Sequence, residues 1–313
     1  MSEIILSIVT PCYNEEETVE KCVLAVRRIM SSKFPNMEYE HIFSDNSSTD
    51  KTVEVLKSLA SNDSRLKIVV NSRNIGASRN IYRALRHTSG KRVIPMLPAD
   101  LQDPAEVIPL LVAEHEKGNK IVYGVRSSRQ ESLVMRILRF IYYKIIWKLS
   151  GSRIPINSGE FMLLDRIVVD SILSTKDANP YVRGLVAQTG FKSSSVSYTW
   201  VKREGGKSKS SFFVLIDTAI NGLVSTSRLP ARIALLFGFF FATLGLIFGI
   251  ASALIILTSG SDSPQGIPTI IIAIFTLGGI QLFFLGLIGE YVLSIHGQVR
   301  PEPDSVDVER INF

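Results

Sequence analysis

Residues Pro98-Ala99-Asp100-Leu101-Gln102-Asp103-Pro104 put two acids and an amide within four positions. Asp100 and Gln102 are two apart, so in extended chain both point to one face and can serve one cation. A hard divalent ion such as Mg²⁺ takes oxygen ligands and often only one or two of them from protein, the rest coming from water and phosphate. Such an ion bridging a diphosphate would neutralise a departing group. Asp103 reads differently. An acid, then Pro104 at a first helical position, then Glu106 at the third is a capping pattern. Asp103 is therefore expected to cap a helix, and Asp100, which precedes the cap, to carry chemistry.

The elements that must position these residues alternate apolar runs with helical patterns over the first 125 residues, the signature of βα units and a mostly parallel sheet. Runs at 4–10, 39–44, 66–71, 92–97 and 120–125 read as strands, with helices near 15–30, 50–60, 76–88 and 104–117. Ligands of such sheets sit beyond the carboxyl ends of the strands. Four polar segments meet that description: 11–16, 45–50, 71–76 and 98–103. No G-x-G-x-x-G or Walker sequence occurs, so a nucleotide would have to be held differently.

The chain has 313 residues, a formal net charge of +6 and 46% hydrophobic residues. Ile233–Leu257 and Ile267–Gly289 contain no charged side chain, and each exceeds the roughly 18 residues expected of a transmembrane helix. Arg228 and Arg232 flank the first span, His296 and Arg300 follow the second, and the loop 258–266 has no Lys or Arg. By the positive-inside rule both ends are cytoplasmic. The N-terminus turns polar after one short apolar run and does not read as a signal peptide. Cys12 and Cys22 read as ordinary buried thiols, and the four histidines lack metal-ligand spacing. No motif supports a nucleic-acid partner; the basic balance suits anionic lipid and phosphate-bearing substrates. Residues 132–150 set Arg136, Arg139, Lys144 and Lys148 among aliphatic and aromatic residues, as either a helix on the sheet or one in the membrane surface. Residues 206–230 suit a second surface helix leading into the first span. Gly278, Gly279, Gly286 and Gly289 would permit close helix packing and hence a homo-oligomer.

In order, "IVTPCYNEEETV", "SDNSSTDKT", "ADLQDP", "YGVRSSRQ", "GEFMLLDR", "REGGKSK" and "GGIQLFFLGLIGEY" resemble the blocks of family 2 glycosyltransferases that act on polyisoprenyl phosphate. The likeness is to bactoprenol (undecaprenyl-phosphate) glucosyltransferases and, more distantly, dolichyl-phosphate mannose synthases. It implies an α/β GT-A fold, with a Rossmann-like mixed sheet, plus two C-terminal transmembrane helices. It implies inverting sugar transfer from a nucleotide sugar to lipid phosphate, with Mg²⁺ or Mn²⁺ as cofactor. Carried onto this chain, it puts Pro11, Tyr13, Glu15 and Asp45 on the nucleoside and Asp100 and Gln102 on metal and diphosphate. It puts Arg126 and Arg129 near phosphates, Glu160 near the reacting centre, and Arg203 and Lys209 on phosphate oxygens. Pro98, Ser44 and Glu160 stand where the family commonly has Asp. Taken as residues alone, Tyr13 reads equally as a core aromatic, Glu15 as a first-turn helix charge, Asp45 as an Asx-turn acid and the arginines as surface charges.

The domains expected are a cytosolic catalytic domain over 1–205, a juxtamembrane segment over 206–230, a two-helix anchor over 231–295 and a cytoplasmic tail over 296–313. The leading reading is a multi-pass inner-membrane enzyme that uses a UDP-sugar, with a hexose favoured, and polyprenyl phosphate for cell-envelope glycans. Its catalytic residues are Asp100, Glu160 and Arg203. The alternative is a catalytically silent scaffold that binds nucleotide sugar or lipid, motivated by Pro98 and Glu160. A processive polysaccharide synthase is disfavoured, because its Q-x-x-R-W block is missing and two spans are few for a polymer channel.

Overall fold

The computed structural model describes residues 3–127, 154–155, 157–175, 177, 180–201, 267–299 and 306–313, with scattered helical positions between 236 and 254. The chain divides into two compact units, 1–216 with 301–313, and 217–300.

The first unit is built on an eight-stranded sheet: β1 Leu6–Cys12, β2 Tyr39–Asp45, β3 Leu66–Asn71, β4 Arg92–Ile94, β5 Ile121–Arg126, β6 Ser158–Asp165, β7 Ser193–Tyr198 and β8 Asp307–Ile311. The spatial order is β7-β5-β6-β4-β1-β2-β3-β8. The pairs β1·β2, β1·β4, β2·β3 and β5·β7 are parallel. β6 runs antiparallel to both β4 and β5, and β8 antiparallel to β3, so the sheet is mixed. The central strands β1 and β2 are buried almost throughout because helices cover both faces, although β2 carries Glu40, His41, Ser44 and Asp45 among its buried residues. The edge strands β7 and β8 alternate instead.

Helices α1 Val19–Lys33, α2 Thr52–Ala60 and α4 Ile108–Glu116 close one core with the sheet. In α1 the residues Val19, Cys22, Val23, Val26, Ile29 and Met30 are buried, the three-and-four spacing of an amphipathic helix. Helices α3 Ala77–Leu85, α5 Arg166–Ser174 and α6 Val182–Gln188 close a second core with the sheet. The chain runs β1 to β2 to β3 on one side and then crosses to β4 on the other side of β1. The crevice at the carboxyl ends of β1 and β4 is thus the switch point at which such sheets bind ligands.

Several expectations need correction. β4 spans three residues rather than 92–97, since Pro95 and Pro98 cannot donate to a ladder, although Leu97 N still bonds Val9 O at 2.8 Å. Residues 296–313, expected as a tail, contribute to two elements. The second unit's helix α7, Ile267–Val299, runs through their first residues, and β8 joins the sheet. Within α7, Leu277–Val299 is long and apolar enough to cross a membrane by length and composition. Much of the other expected span, Ile233–Leu257, lies outside the described residues, as do 132–150 and 206–230.

Candidate active site

The Pro98–Asp103 segment is not extended. Leu101 N bonds Pro98 O at 3.0 Å, and Leu101 has a φ of 53°, in the left-handed region that leucine avoids. Asp100 and Gln102 therefore owe their proximity to a turn and not to strand alternation; Gln102 N donates to Asp100 Oδ1 at 3.2 Å. Three other residues with positive φ, Asn14, Ser47 and Asn157, lie at this same end of the sheet. Strained residues of this kind cluster where function demands them.

Asp103 is not a helix cap. The 3-10 turn Ala105–Val107 begins after Pro104 without a side-chain cap, and the Asp103 side chain is 1% exposed. Its carboxylate accepts from Arg126 Nε at 2.9 Å, Arg126 Nη2 at 2.7 Å and the Tyr198 hydroxyl at 2.5 Å. Arg126 also lies over the Trp200 ring at 5.7 Å. Burial works against the Arg126 charge, but the Asp103 carboxylate outweighs it and holds the guanidinium protonated beyond its ordinary range. Burial, then the Asp103 charge, push the Tyr198 phenol well above its usual value. Arg126, expected near phosphates, is thus committed to Asp103. Gly124 makes room for this cluster: a Cβ there would lie 2.7 Å from Phe161 O and 3.0 Å from Tyr198 Cε1.

The loops after β1, β2 and β3 are stitched together. Asn14 N donates to Ser48 Oγ at 2.8 Å, and Thr49 N donates to Asn14 Oδ1 at 2.7 Å. Asn46 Nδ2 donates to Asn74 Oδ1 at 2.9 Å, while Ile75 N donates to Asn46 Oδ1 at 3.0 Å. Pro11, Tyr13 and Glu15 are half-buried here, with Glu15 Oε2 accepting from Thr18 Oγ1 at 2.9 Å. Asp45 is fully buried and forms the Asx-type turn, accepting from Ser48 N at 2.9 Å and from Ser48 Oγ. Burial pushes its carboxyl upward against those bonds. Asn14, Asn46, Asp103 and Tyr198 went unnoticed as site builders, and only the Asn residues carried a turn signal.

Glu160 is half-buried on β6, two residues past Ser158, which pairs with Val125. Arg129, Arg203 and Lys209 lie outside the described residues. Val201, which leads into the run holding the last two, donates its N–H to Gln102 O at 3.0 Å. Asp100 borders a cavity of about 530 Å³ between α1 and the turn, with Lys21, Leu24, Ala25, Arg28 and Val201 on its walls. Among the described residues no group of three His, Cys, Asp or Glu could cage an ion. One carboxylate and one amide at a half-exposed turn instead suit Mg²⁺ or Mn²⁺ completed by phosphate and water.

The model of the family described as glycosyl transferase family 2 matches residues 7–173. A putative glycosyltransferase of Bacillus subtilis, CsbB, is 34% identical over 305 residues, 97% of this chain and 91% of that one. The SfII prophage-derived bactoprenol glucosyl transferase of Shigella flexneri is 32% identical over 299 residues, 95% of this chain and 96% of that one. A mannosyltransferase from Pyrobaculum calidifontis, solved with GDP-Man and Mn²⁺, shares the fold with a TM-score of 0.50 at 16% identity, covering 96% of this chain and 89% of that one.

Proposed function

The chain belongs to glycosyl transferase family 2, and from that premise we propose that it moves a hexose from a nucleotide sugar, foremost a UDP-sugar, to polyprenyl phosphate. The reaction takes place at the cytoplasmic face of the inner membrane and serves cell-envelope glycans. One observation carries the reading. The turn bearing Asp100 and Gln102 is bonded through Gln102 O to Val201, so the chain that delivers Arg203 and Lys209 starts beside it.

In this reading Asp100 and Gln102 would hold Mg²⁺ or Mn²⁺, which would supply positive charge to neutralise the departing diphosphate. Pro11, Tyr13, Glu15 and the turn built by Asp45 hold the nucleoside. Arg203, Lys209 and Arg129 serve phosphate oxygens, the arginines through guanidinium groups suited to bidentate contacts and Lys209 as a point charge. A phosphate oxygen of the lipid attacks the sugar C1 as the C1–diphosphate bond breaks, which inverts the anomeric centre. A phosphate monoester has a second pKa near 6 and is substantially anionic at neutral pH, so this oxygen needs no base. Glu160 then orients sugar or acceptor, and orientation with charge stabilisation supplies the catalysis. Support for the acceptor comes from the printed name of the Shigella relative, and support for the cation from the Mn²⁺ bound by the Pyrobaculum enzyme.

β8 supports the two-span anchor. Strands β1 to β7 and β8 share one sheet, so the chain between Val201 and Val306 must end on the side of any bilayer from which it started. The number of crossings is then even. Leu277–Val299 suits one crossing by length and composition, and the uncharged stretch Ile233–Leu257 is long enough for the other.

Asp100→Ala tests the reading: it should abolish lipid-linked sugar formation while the protein still inserts in membranes. Wild-type rates in that variant would remove Asp100 from the mechanism. The scaffold reading predicts ligand binding with no release of nucleoside diphosphate under any metal, and an assay of that release separates the two.

A further inference from the structure

We infer that Asp103 is a positioning residue, and that its buried grip by Arg126 and Tyr198 sets the turn in which Asp100 and Gln102 present their oxygens. The inference rests on the proposed reading of those two residues as facing cation and diphosphate.

A leucine in left-handed backbone persists only where its surroundings over-determine it. Leu101, between the two proposed ligands, is such a residue, and three restraints surround it. Leu101 N is bonded to Pro98 O on one side and Val201 N to Gln102 O on the other. Asp103, two residues on, is fastened by three hydrogen bonds from β5 and β7. Both Asp103 oxygens are engaged in those bonds and the side chain is buried, whereas Asp100 borders the cavity. The division of labour between the two acids follows: one anchors the turn and the other faces the ligand.

The same strand couples the two halves of the site. Tyr198 ends β7, and Val201, three residues later, bonds the turn directly before the chain enters the basic run 202–210. The grip on Asp103 and the Val201 bond therefore both tie the acid turn to β7 and the residues just after it. Glycines clear the space for it: a Cβ at Gly159 would lie 3.4 Å from Arg126 Nη2, and one at Gly124 would lie 3.0 Å from Tyr198 Cε1.

The test uses the full chain in lipid nanodiscs, with Mn²⁺ binding measured by calorimetry in the presence of UDP. Hydrogen exchange at amides 99–103 is followed alongside. Tyr198→Phe removes one bond to Asp103 and keeps the ring; Asp103→Asn keeps the shape and removes the charge. Both should weaken Mn²⁺ binding, by about tenfold for Asp103→Asn as for other groups that orient metal ligands. Both should also speed exchange at 99–103 and lower kcat more than they raise KM for the donor. Should Asp103→Asn fail to fold, Tyr198→Phe decides. Folded variants with wild-type Mn²⁺ affinity and wild-type exchange at 99–103 overturn the positioning role alone. Wild-type protein that binds neither UDP nor Mn²⁺ overturns the functional reading and this role with it.

Discussion

At the scale of single residues, the site depends on side chains whose partners are distant in sequence. Gly124→Ala should destabilise the protein by about 1–3 kcal/mol in thermal unfolding, because the added carbon meets a strand carbonyl at 2.7 Å. His41 offers a pH test. It is fully buried, bonds Thr10 Oγ1 at 2.8 Å, and burial drops its pKa from 6.5 to about 3. The folded protein keeps it neutral while the unfolded chain protonates it. Stability should therefore fall as pH drops below 6.5, approaching about 1.4 kcal/mol per pH unit from this group. His41→Asn should flatten the melting temperature between pH 6.5 and 4.5; an unchanged acid limb would contradict this. Asp45 stands at the end of β2, whereas Asp100 and Gln102 lie on a turn beyond β4 and Asp103 is no helix cap. A capping acid and a buried acid have the same letters around them, and the deciding partners, Arg126 and Tyr198, are 23 and 95 residues away. The tie of Arg126 to Asp103 is hidden for the same reason.

At the scale of elements, the parallel strands that lead into the site were legible as short runs rich in aliphatic and aromatic residues, the composition that burial on both faces favours, even though β2 also buries Glu40 and His41. β7 and β8 were not, since an edge strand shows only weak alternation and Asp-Val-Glu-Arg-Ile resembles a solvated tail. β8 is nevertheless well held. Asp307 accepts from Arg83 Nη2 and Arg310 Nη2, each at 2.5 Å, with His87 at 3.4 Å. Asn312 Nδ2 donates to Ala60 O, Asp63 O and Leu66 O. Burial would raise the Asp307 carboxyl, but the arginines beside it hold it below the ordinary range. Its contribution is thus full above the usual carboxylate pKa and lost as pH falls through its own. Asp307→Ala leaves Arg83, 11% exposed, without that carboxylate and should cost about 3–5 kcal/mol. A melting temperature within a degree of wild type would show that β8 contributes little.

At the scale of the whole molecule, the return of the chain to its first sheet constrains any membrane topology the chain adopts. In intact cells, Ser261→Cys should react with a membrane-impermeant maleimide, whereas Ser305→Cys should react only after permeabilisation. Cys12 and Cys22 are buried and give no background. Labelling of both sites from outside would contradict an even number of crossings with a cytoplasmic sheet. Two long uncharged stretches and a basic balance are legible in the composition. It could not show that the last residues complete the fold of the first, because that contact spans more than 230 residues. The central claim is that the acid turn at the carboxyl end of the sheet supports sugar transfer to a lipid phosphate. Purified full-length protein in nanodiscs with undecaprenyl phosphate, Mg²⁺ or Mn²⁺ and a panel of nucleotide sugars tests it most directly, read by mass spectrometry of the lipid. The account predicts a polyprenyl phosphate heavier by one hexose with one donor, and none with Asp100→Ala. Donor bound with no sugar on the lipid under any metal, or the same product from the variant, would contradict it.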